Sequence, residues 1–346
     1  MNEISGKRSG AVLPLGWLAI VLAFGSALLA VTAMPATART TITTFDPENS
    51  AVTTAWSINS LGAVAGYYYD QSYVAHGYVR APGGTITPFD PAGSTQTEVF
   101  GINRQGSVTG FYNLQSGGAH GFVRGPDGTI VPFDIPNSLS TEPYSINRGG
   151  AITGFYQGSD FVIHGFLRKA SGKFLSFDPA DASHTYPYAI NDNGDIAGYY
   201  TDASNFTHGF IRSKQGNITT FDAPGSTGTE VNSINNAGAV AGNFVDENLN
   251  SHGFIRTPDG VITVWDPPGS IETQATCIND NDEVVGFFSD VNQGGHAFLR
   301  RPDGSFKMNG WPRNATDIYA LALNNKGEIA GWYTKKSLAH GFLRTR

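Results

Sequence analysis

The chain has 346 residues, a net charge of −7, only 15% charged residues and 43 glycines, a composition that suits short strands and tight turns rather than long helices. The acidic balance, with no basic cluster to meet phosphates, excludes a nucleic-acid partner and an anionic membrane surface. A single cysteine excludes an internal disulfide framework.

Residues 1–38 read as a targeting segment: Lys7 and Arg8 precede an apolar run from Ala11 to about Met34, and Ala36-Thr37-Ala38 is a small-residue exit. A signal peptide is expected, with an uncleaved anchor as the alternative because the run is long enough to span a bilayer. Either way residues 39–346 are expected to be secreted, periplasmic or at the cell surface, with no membrane contact beyond the leader.

The next element, Thr41-Ile-Thr-Thr-Phe45-Asp46, is a strand without a hairpin partner of its own. After it a motif His-Gly-Phe-x-Arg or a near copy recurs with its His at 76, 120, 164, 208, 252, 296 and 340, a step of 44 residues. Such a period marks a supersecondary unit that buries its faces only against its neighbours.

The copy from Thr97 to Asp134 shows the unit. A short apolar run, Glu98 to Ile102, meets the turn Asn103-Arg-Gln-Gly106 and a second strand ending at Tyr112. A polar loop leads to His120-Gly-Phe-Val-Arg124, the turn Gly125-Pro-Asp-Gly128 and a fourth strand ending at Phe133-Asp134. Both turns have the chemistry of a type I turn followed by a residue with positive φ. The expected fold is all-β: a seven-bladed β-propeller with four-stranded blades of 44 residues and the first strand innermost.

Register arithmetic then explains the histidines. In a hairpin centred on Asp127, residue 120 lies opposite residue 134. His120 is thus expected to face Asp134, and likewise His76 Asp90, His164 Asp178, His208 Asp222, and His252 Asp266, as structural pairs rather than catalytic or metal sites. The recurring Arg80 to Arg344 are read as outer residues covering apolar surface with their stems. The last copy stops at Arg344 without a fourth strand, so the strand at 41–46 is expected to complete it, pairing His340 with Asp46 and burying Ile42 and Phe45 beside Phe342. His296 is expected to face Asn309.

The motif Ile-Asn-x-x-Gly-x-Val-x-Gly followed by His-Gly-Phe, and by His296-Ala297-Phe298 in one copy, resembles the HAF repeat family of probable extracellular bacterial proteins. The resemblance covers the whole mature chain and implies export, with no known reaction.

Function is expected on the face that gathers the longer loops, between strands two and three and between blades. Ahead of the inner-strand ends stand Trp56, Phe100, Tyr144 and Tyr188 in successive copies, then Asn232 and Thr276. Glu98, Glu142 and Glu230 share one repeat position, and His184 is the one histidine out of register. The aromatic half-ring suits packing between blades or stacking of sugar rings; paired carboxylates suit a glycosidase only at about 5 to 10 Å separation. Asn191-Asp-Asn-Gly-Asp195 lacks the downstream Glu of a calcium loop and coincides with a hairpin turn. Cys277 fills a slot held elsewhere by Ser or Ala and is read as a small buried residue.

No cofactor or metal is expected. The reading is an exported, monomeric, non-catalytic binding module for a glycan or a cell-surface protein. The alternative is a secreted polysaccharide hydrolase or lyase, disfavoured because His184 is the only unrepeated acid, base or nucleophile. The leader predicts a mature chain beginning near Arg39; N-terminal sequencing of exported material checks this, and a membrane-embedded product retaining Trp17 and Leu18 would identify an anchor.

Overall fold

The computed structural model describes residues 40–346; the leader and its exit at Ala36 to Ala38 lie outside the described residues. Among the described residues every regular element is a strand, and no helix is long and apolar enough to cross a membrane. After β1 (Thr41–Phe45) the first unit comprises β2 (Ser50–Ile58), β3 (Val64–Asp70), β4 (Ala75–Arg80) and β5 (Ile86–Phe89), paired in sequence order as an antiparallel meander. Five more four-stranded sheets repeat this order. A last set, Asp317–Leu323, Ile329–Lys335 and Leu338–Thr345, takes β1 as its fourth member, antiparallel to Leu338–Thr345 with Phe45 opposite Gly341. A single parallel bridge, Val52 to Ala339, joins this seventh unit to the first.

The Asn that opens each first turn ties the units together. Asn59 Oδ1 accepts the amides of Leu61 and Ala63, shaping its own turn, while its Nδ2 donates to the Asn103 carbonyl at 3.0 Å. The same cross-unit bond runs from Asn103, Asn147, Asn191, Asn235 and Asn279 to the next unit, and Asn324 donates back to the Asn59 carbonyl at 3.0 Å. All seven asparagines are buried, so each amide is a buried polar group whose oxygen is satisfied within its own turn and whose nitrogen is satisfied by the next unit. The first strands converge here: the end of each lines one central depression of about 400 Å³.

In the third strand the aromatic of the repeat is fully buried in all seven units, Tyr78, Phe122, Phe166, Phe210, Phe254, Phe298 and Phe342. The histidines stand at the rim. His76, His120, His164, His208 and His252 place Nδ1 2.7 to 2.9 Å from Asp90, Asp134, Asp178, Asp222 and Asp266. His340 reaches Asp46 at 2.7 Å across 294 residues of sequence.

Three expectations need correction. His296 does not face Asn309: its Nε2 meets Asp290 at 3.0 Å. The hairpin pairs only Arg300 with Phe306 and Leu299 with Lys307, a register that counted onward would set position 310 rather than 309 opposite His296; the fourth strand shrinks to Phe306–Lys307, and Trp311 takes over the aromatic role. Phe45 packs with Tyr78 of the next unit at 6.1 Å rather than beside Phe342, although Ile42 does join the Phe342 cluster. The connections between strands two and three are tight turns rather than long loops, as at Asp70, whose Oδ1 accepts the amides of Ser72 and Val74.

The Gly after the repeat His has a steric cause. A Cβ on Gly121 would lie 2.8 Å from the Phe133 ring, and one on Gly253 only 2.6 Å from Trp265. Ala297 is the sole copy with a side chain, and it stands in the unit whose fourth strand pairs no further than Leu299 with Lys307. We therefore expect Gly253→Ala to overpack its unit by about 1–3 kcal/mol, while Ala297→Gly costs about 0.5–1 kcal/mol through backbone freedom alone; urea unfolding of the two variants checks the asymmetry.

His252 is flanked by two carboxylates, Asp266 on Nδ1 and Asp246 3.4 Å from Nε2. Desolvation opposes the imidazolium, but the hydrogen bonds and charges of Asp266 and Asp246 outweigh it and raise the ring above its ordinary 6.5. The amide and side chain of Asn250 hold Asp246 well below its ordinary 3.8. A raised imidazole stabilises the fold fully below its unfolded value and loses that contribution as pH rises through the raised one; a depressed carboxylate contributes above its unfolded value and loses it on acidification. The pairs are thus strongest between about pH 4 and 6.5, and thermal melts from pH 5 to 9 should show an alkaline decline that flattens in His252→Asn.

Candidate functional site

A β-bulge interrupts every first strand. The register slips between Ala55 and Ser57, Val99 and Gly101, Pro143 and Ser145, and Pro187 and Ala189, and at the matching places of the last three units. The extra residue is Trp56, Phe100, Tyr144, Tyr188, Asn232, Thr276 or Leu321. A bulge re-aims the residue it leaves unpaired, and all seven line the same narrow space at the centre of the molecule, about 190 Å³. The glycine of the second strand belongs to this device: a Cβ on Gly110 would collide with the Glu98 carbonyl, and one on Gly154 with the Glu142 carbonyl.

Four of the bulged residues form a continuous aromatic arc. Ring centroids lie 5.2 Å apart from Trp56 to Phe100, 4.6 Å from Phe100 to Tyr144 and 4.9 Å from Tyr144 to Tyr188. Behind them Phe111, Phe155 and Tyr199 of the second strands stack on Phe100, Tyr144 and Tyr188, and Tyr67 on Trp56. The arc is half-buried and its backing largely buried, so packing between units and a lining for the centre are properties of the same side chains. In the fifth and sixth units hydrogen bonds replace the rings: Asn232 Nδ2 donates to Asn243 Oδ1 and the Ala275 carbonyl, and Thr276 Oγ1 to the Val285 and Ala320 carbonyls.

Two residues before the arc, Glu98 and Glu142 occupy equivalent places in neighbouring units. Burial raises both carboxyls above the ordinary range; Glu142 adds to the rise at Glu98, and a hydrogen bond from Ser140 partly offsets it at Glu142. Glu230 differs, because Asn243 Nδ2 donates to its Oε2 at 3.2 Å. Tyr186 holds the equivalent place in the fourth unit, 5.3 Å from Phe155.

His184 serves the fold. Its Nδ1 accepts the amide of Ile163 at 3.1 Å, as Asp317 Oδ1 of the last unit accepts the amide of Gly295 in the sixth. Cys277 lies with its thiol 3.7 Å from the Leu323 carbonyl and is pushed up by burial. The arginines do more than cover surface: Arg124, Arg168 and Arg212 lie 4.7 to 4.9 Å over Phe89, Phe133 and Phe177 of the preceding unit. Sequence reasoning missed the second-strand aromatics. The signal was in the doublets Tyr67-Tyr68, Phe111-Tyr112, Phe155-Tyr156 and Tyr199-Tyr200, whose members must point to opposite faces of a strand; the second of each stacks by its His, as Tyr68 does on His76 at 5.2 Å.

No protein-family model matches the sequence, and no curated protein matches it. Among solved structures, a streptogramin B lyase aligns over 88% of this chain and 97% of its own with 14% identity and a TM-score of 0.58. The β-propeller domain of the Trilobed protease from Pyrococcus furiosus, described as having an open velcro topology, aligns over 85% of this chain and 96% of its own at 11% identity and a TM-score of 0.59. A puromycin hydrolase aligns over 87% of this chain and 54% of its own at 12% identity and a TM-score of 0.57. At these identities the likeness carries the fold alone, and the fold is the β-propeller.

Proposed function

We propose that this chain is an exported, non-catalytic binding propeller of the HAF repeat kind, seven-bladed and closed by β1, whose ligand is a glycan held at the centre beside Glu98 and Glu142. The export rests on the leader sequence, and the ring closure on the Asn324 to Asn59 bond and the His340 to Asp46 pair. The observation that carries the ligand is the coincidence of two half-buried carboxylates with an aromatic arc. Glu98 accepts no hydrogen bond from any described residue, so its oxygens are available to hydroxyl donors, while ring edges at 4.6 to 5.2 Å spacing offer apolar surface to the C–H faces of a sugar.

A protein partner is the second reading, favoured by the tips of the turns between strands two and three. Tyr73, Phe161 and Leu249 are 71%, 70% and 80% exposed and hold positive φ, at 59°, 65° and 65°, a conformation that bulky side chains rarely adopt.

Retention on a panel of immobilised polysaccharides, scored together with release of reducing ends, tests the glycan reading. Glu98→Gln should leave thermal stability unchanged or higher, because it removes a charge that burial disfavours, and should weaken retention about tenfold. Phe155→Ala, behind the arc, should instead cost about 3–5 kcal/mol of stability. Retention unaffected by Glu98→Gln would remove the glycan site, and reducing ends released by the parent but not by Glu98→Gln would make the protein a hydrolase.

A further inference from the structure

The seventh unit contains a guanidinium unlike those of five other units. In the first unit Arg80 Nη1 donates to the carbonyl of Ala81, the first residue of the following turn, and Arg124, Arg212, Arg256 and Arg300 do the same with theirs. Arg344 has no such turn beside it: Thr345 continues the strand and pairs with Thr41 of β1. Its Nε donates instead to the Gly310 carbonyl at 3.0 Å. Nη1 and Nη2 are both buried without a partner, and the residue is only 1% exposed. Its guanidinium lies 4.8 Å over Trp311, whose Nε1 is a third buried donor without an acceptor.

The surroundings are cationic. Lys307 finds only a hydroxyl, Thr40 Oγ1, at 3.2 Å. Burial first, then the charges of Arg344, Arg301 and Arg346, pull the Lys307 ammonium down; burial and Arg346 likewise pull Arg344 down to about 10, with Glu283 opposing. Glu283 is itself engaged by Arg346. A buried charge without a counterion is among the most unfavourable arrangements a fold can hold. Gly310 and Trp311, which contact Arg344, and Thr40, which contacts Lys307, line a cavity of about 620 Å³ that is also bounded by β1, Pro312, Arg313, Tyr333 and Lys335, with the two cations behind this lining. This volume falls in the range of small-molecule sites.

Donors without acceptors, excess positive charge and an adjoining cavity flanked by aromatic rings fit one ligand chemistry. The geometry points to a second binding site in the seam between the sixth unit and β1, taking a small organic or inorganic oxyanion, carboxylate or phosphate, on Arg344 and Lys307 with its body against Trp311 and Tyr333. The site is independent of the aromatic arc and of Glu98. It is not repeated, because only here does the aromatic of one unit come from a loop and the fourth strand of the next come from the start of the fold.

Thermal melts and tryptophan fluorescence of the full chain, titrated with sodium phosphate or sodium glucuronate against sodium chloride at matched ionic strength, test the assignment. We expect one or both oxyanions to stabilise the protein saturably, chloride to have no such effect, and Arg344→Gln and Lys307→Gln each to weaken the response at least tenfold. Arg124→Gln, the counterpart in the second unit, should leave it intact. In chloride alone Arg344→Gln should melt no lower than the parent, since it removes an uncompensated charge, and in the effective oxyanion the order should reverse. Response to phosphate alone assigns a phosphate site, and response to glucuronate alone a sugar-acid site. Should Arg344→Gln fail to fold, Lys307→Gln decides. Equal effects of chloride and both oxyanions, or an undiminished response in Lys307→Gln, would overturn the site.

Discussion

The amide of one asparagine per unit is the constraint on which the rest of the structure depends. Its oxygen closes the first turn, and its nitrogen must reach the same residue of the next unit, at 3.0 to 3.2 Å in every case. A buried amide that loses its acceptor costs about 1–3 kcal/mol, so each unit is held in phase with the next at the axis, whatever happens at the rim. Variation is absorbed around this point rather than at it. Where the turn glycine is replaced, Asp282 adopts φ 56° and its carboxylate accepts a second bond from Asn235 Nδ2. Where an extra residue enters before Asn324, the step from Asn279 lengthens to 45 and the cross-unit bond still forms at 3.2 Å.

The bulge works against the same fixed point. With the end of the first strand pinned by Asn, an extra residue one turn earlier must tilt a carbonyl toward the second strand, and only glycine leaves room for it. Trp56, Phe100, Tyr144 and Tyr188 reach the centre for that reason rather than by ordinary alternation. Large rings fill the centre over half the circumference; Asn232 and Thr276, with hydrogen bonds to neighbouring carbonyls, and Leu321 fill the remainder. The asymmetry of the interior is therefore made entirely by side-chain choice on a backbone that repeats.

Much of this was legible in the sequence because it follows from counting. The period of 44, the turn residues and the symmetry of a hairpin about its turn place each His opposite its Asp, including His340 opposite Asp46. What escaped was whatever depended on local length or on a third dimension. The sixth hairpin lacks the Asp of its counterparts and stops pairing at Lys307, so no ladder enforces the expected pairing of Asn309 with His296. The stacking of Arg124 on Phe89 joins successive units and has no signature in the spacing of either strand. The turn at Asp70 is tight because its Oδ1 accepts two turn amides, as Asn59 does in the first turn, while Tyr73 takes the positive φ that a glycine usually holds, and this looks in sequence like an ordinary polar loop.

A repeated scaffold makes its own exceptions informative. Five arginines donate Nη1 to a turn carbonyl; Arg344 differs because β1 supplies the strand that a following hairpin would otherwise provide. Completing the last sheet with a segment from the other end of the fold removes an open edge but also removes the turn carbonyl that Arg344 would have used. The two orphaned nitrogens are thus a direct consequence of closure, and so is the loop that brings Trp311 under them in place of the ring missing at Asn309. Ala297 belongs to the same unit as the shortened fourth strand. One seam accordingly contains the altered motif, the displaced aromatic and a guanidinium whose two Nη atoms are buried without partners, whereas among its counterparts only Nε is left so.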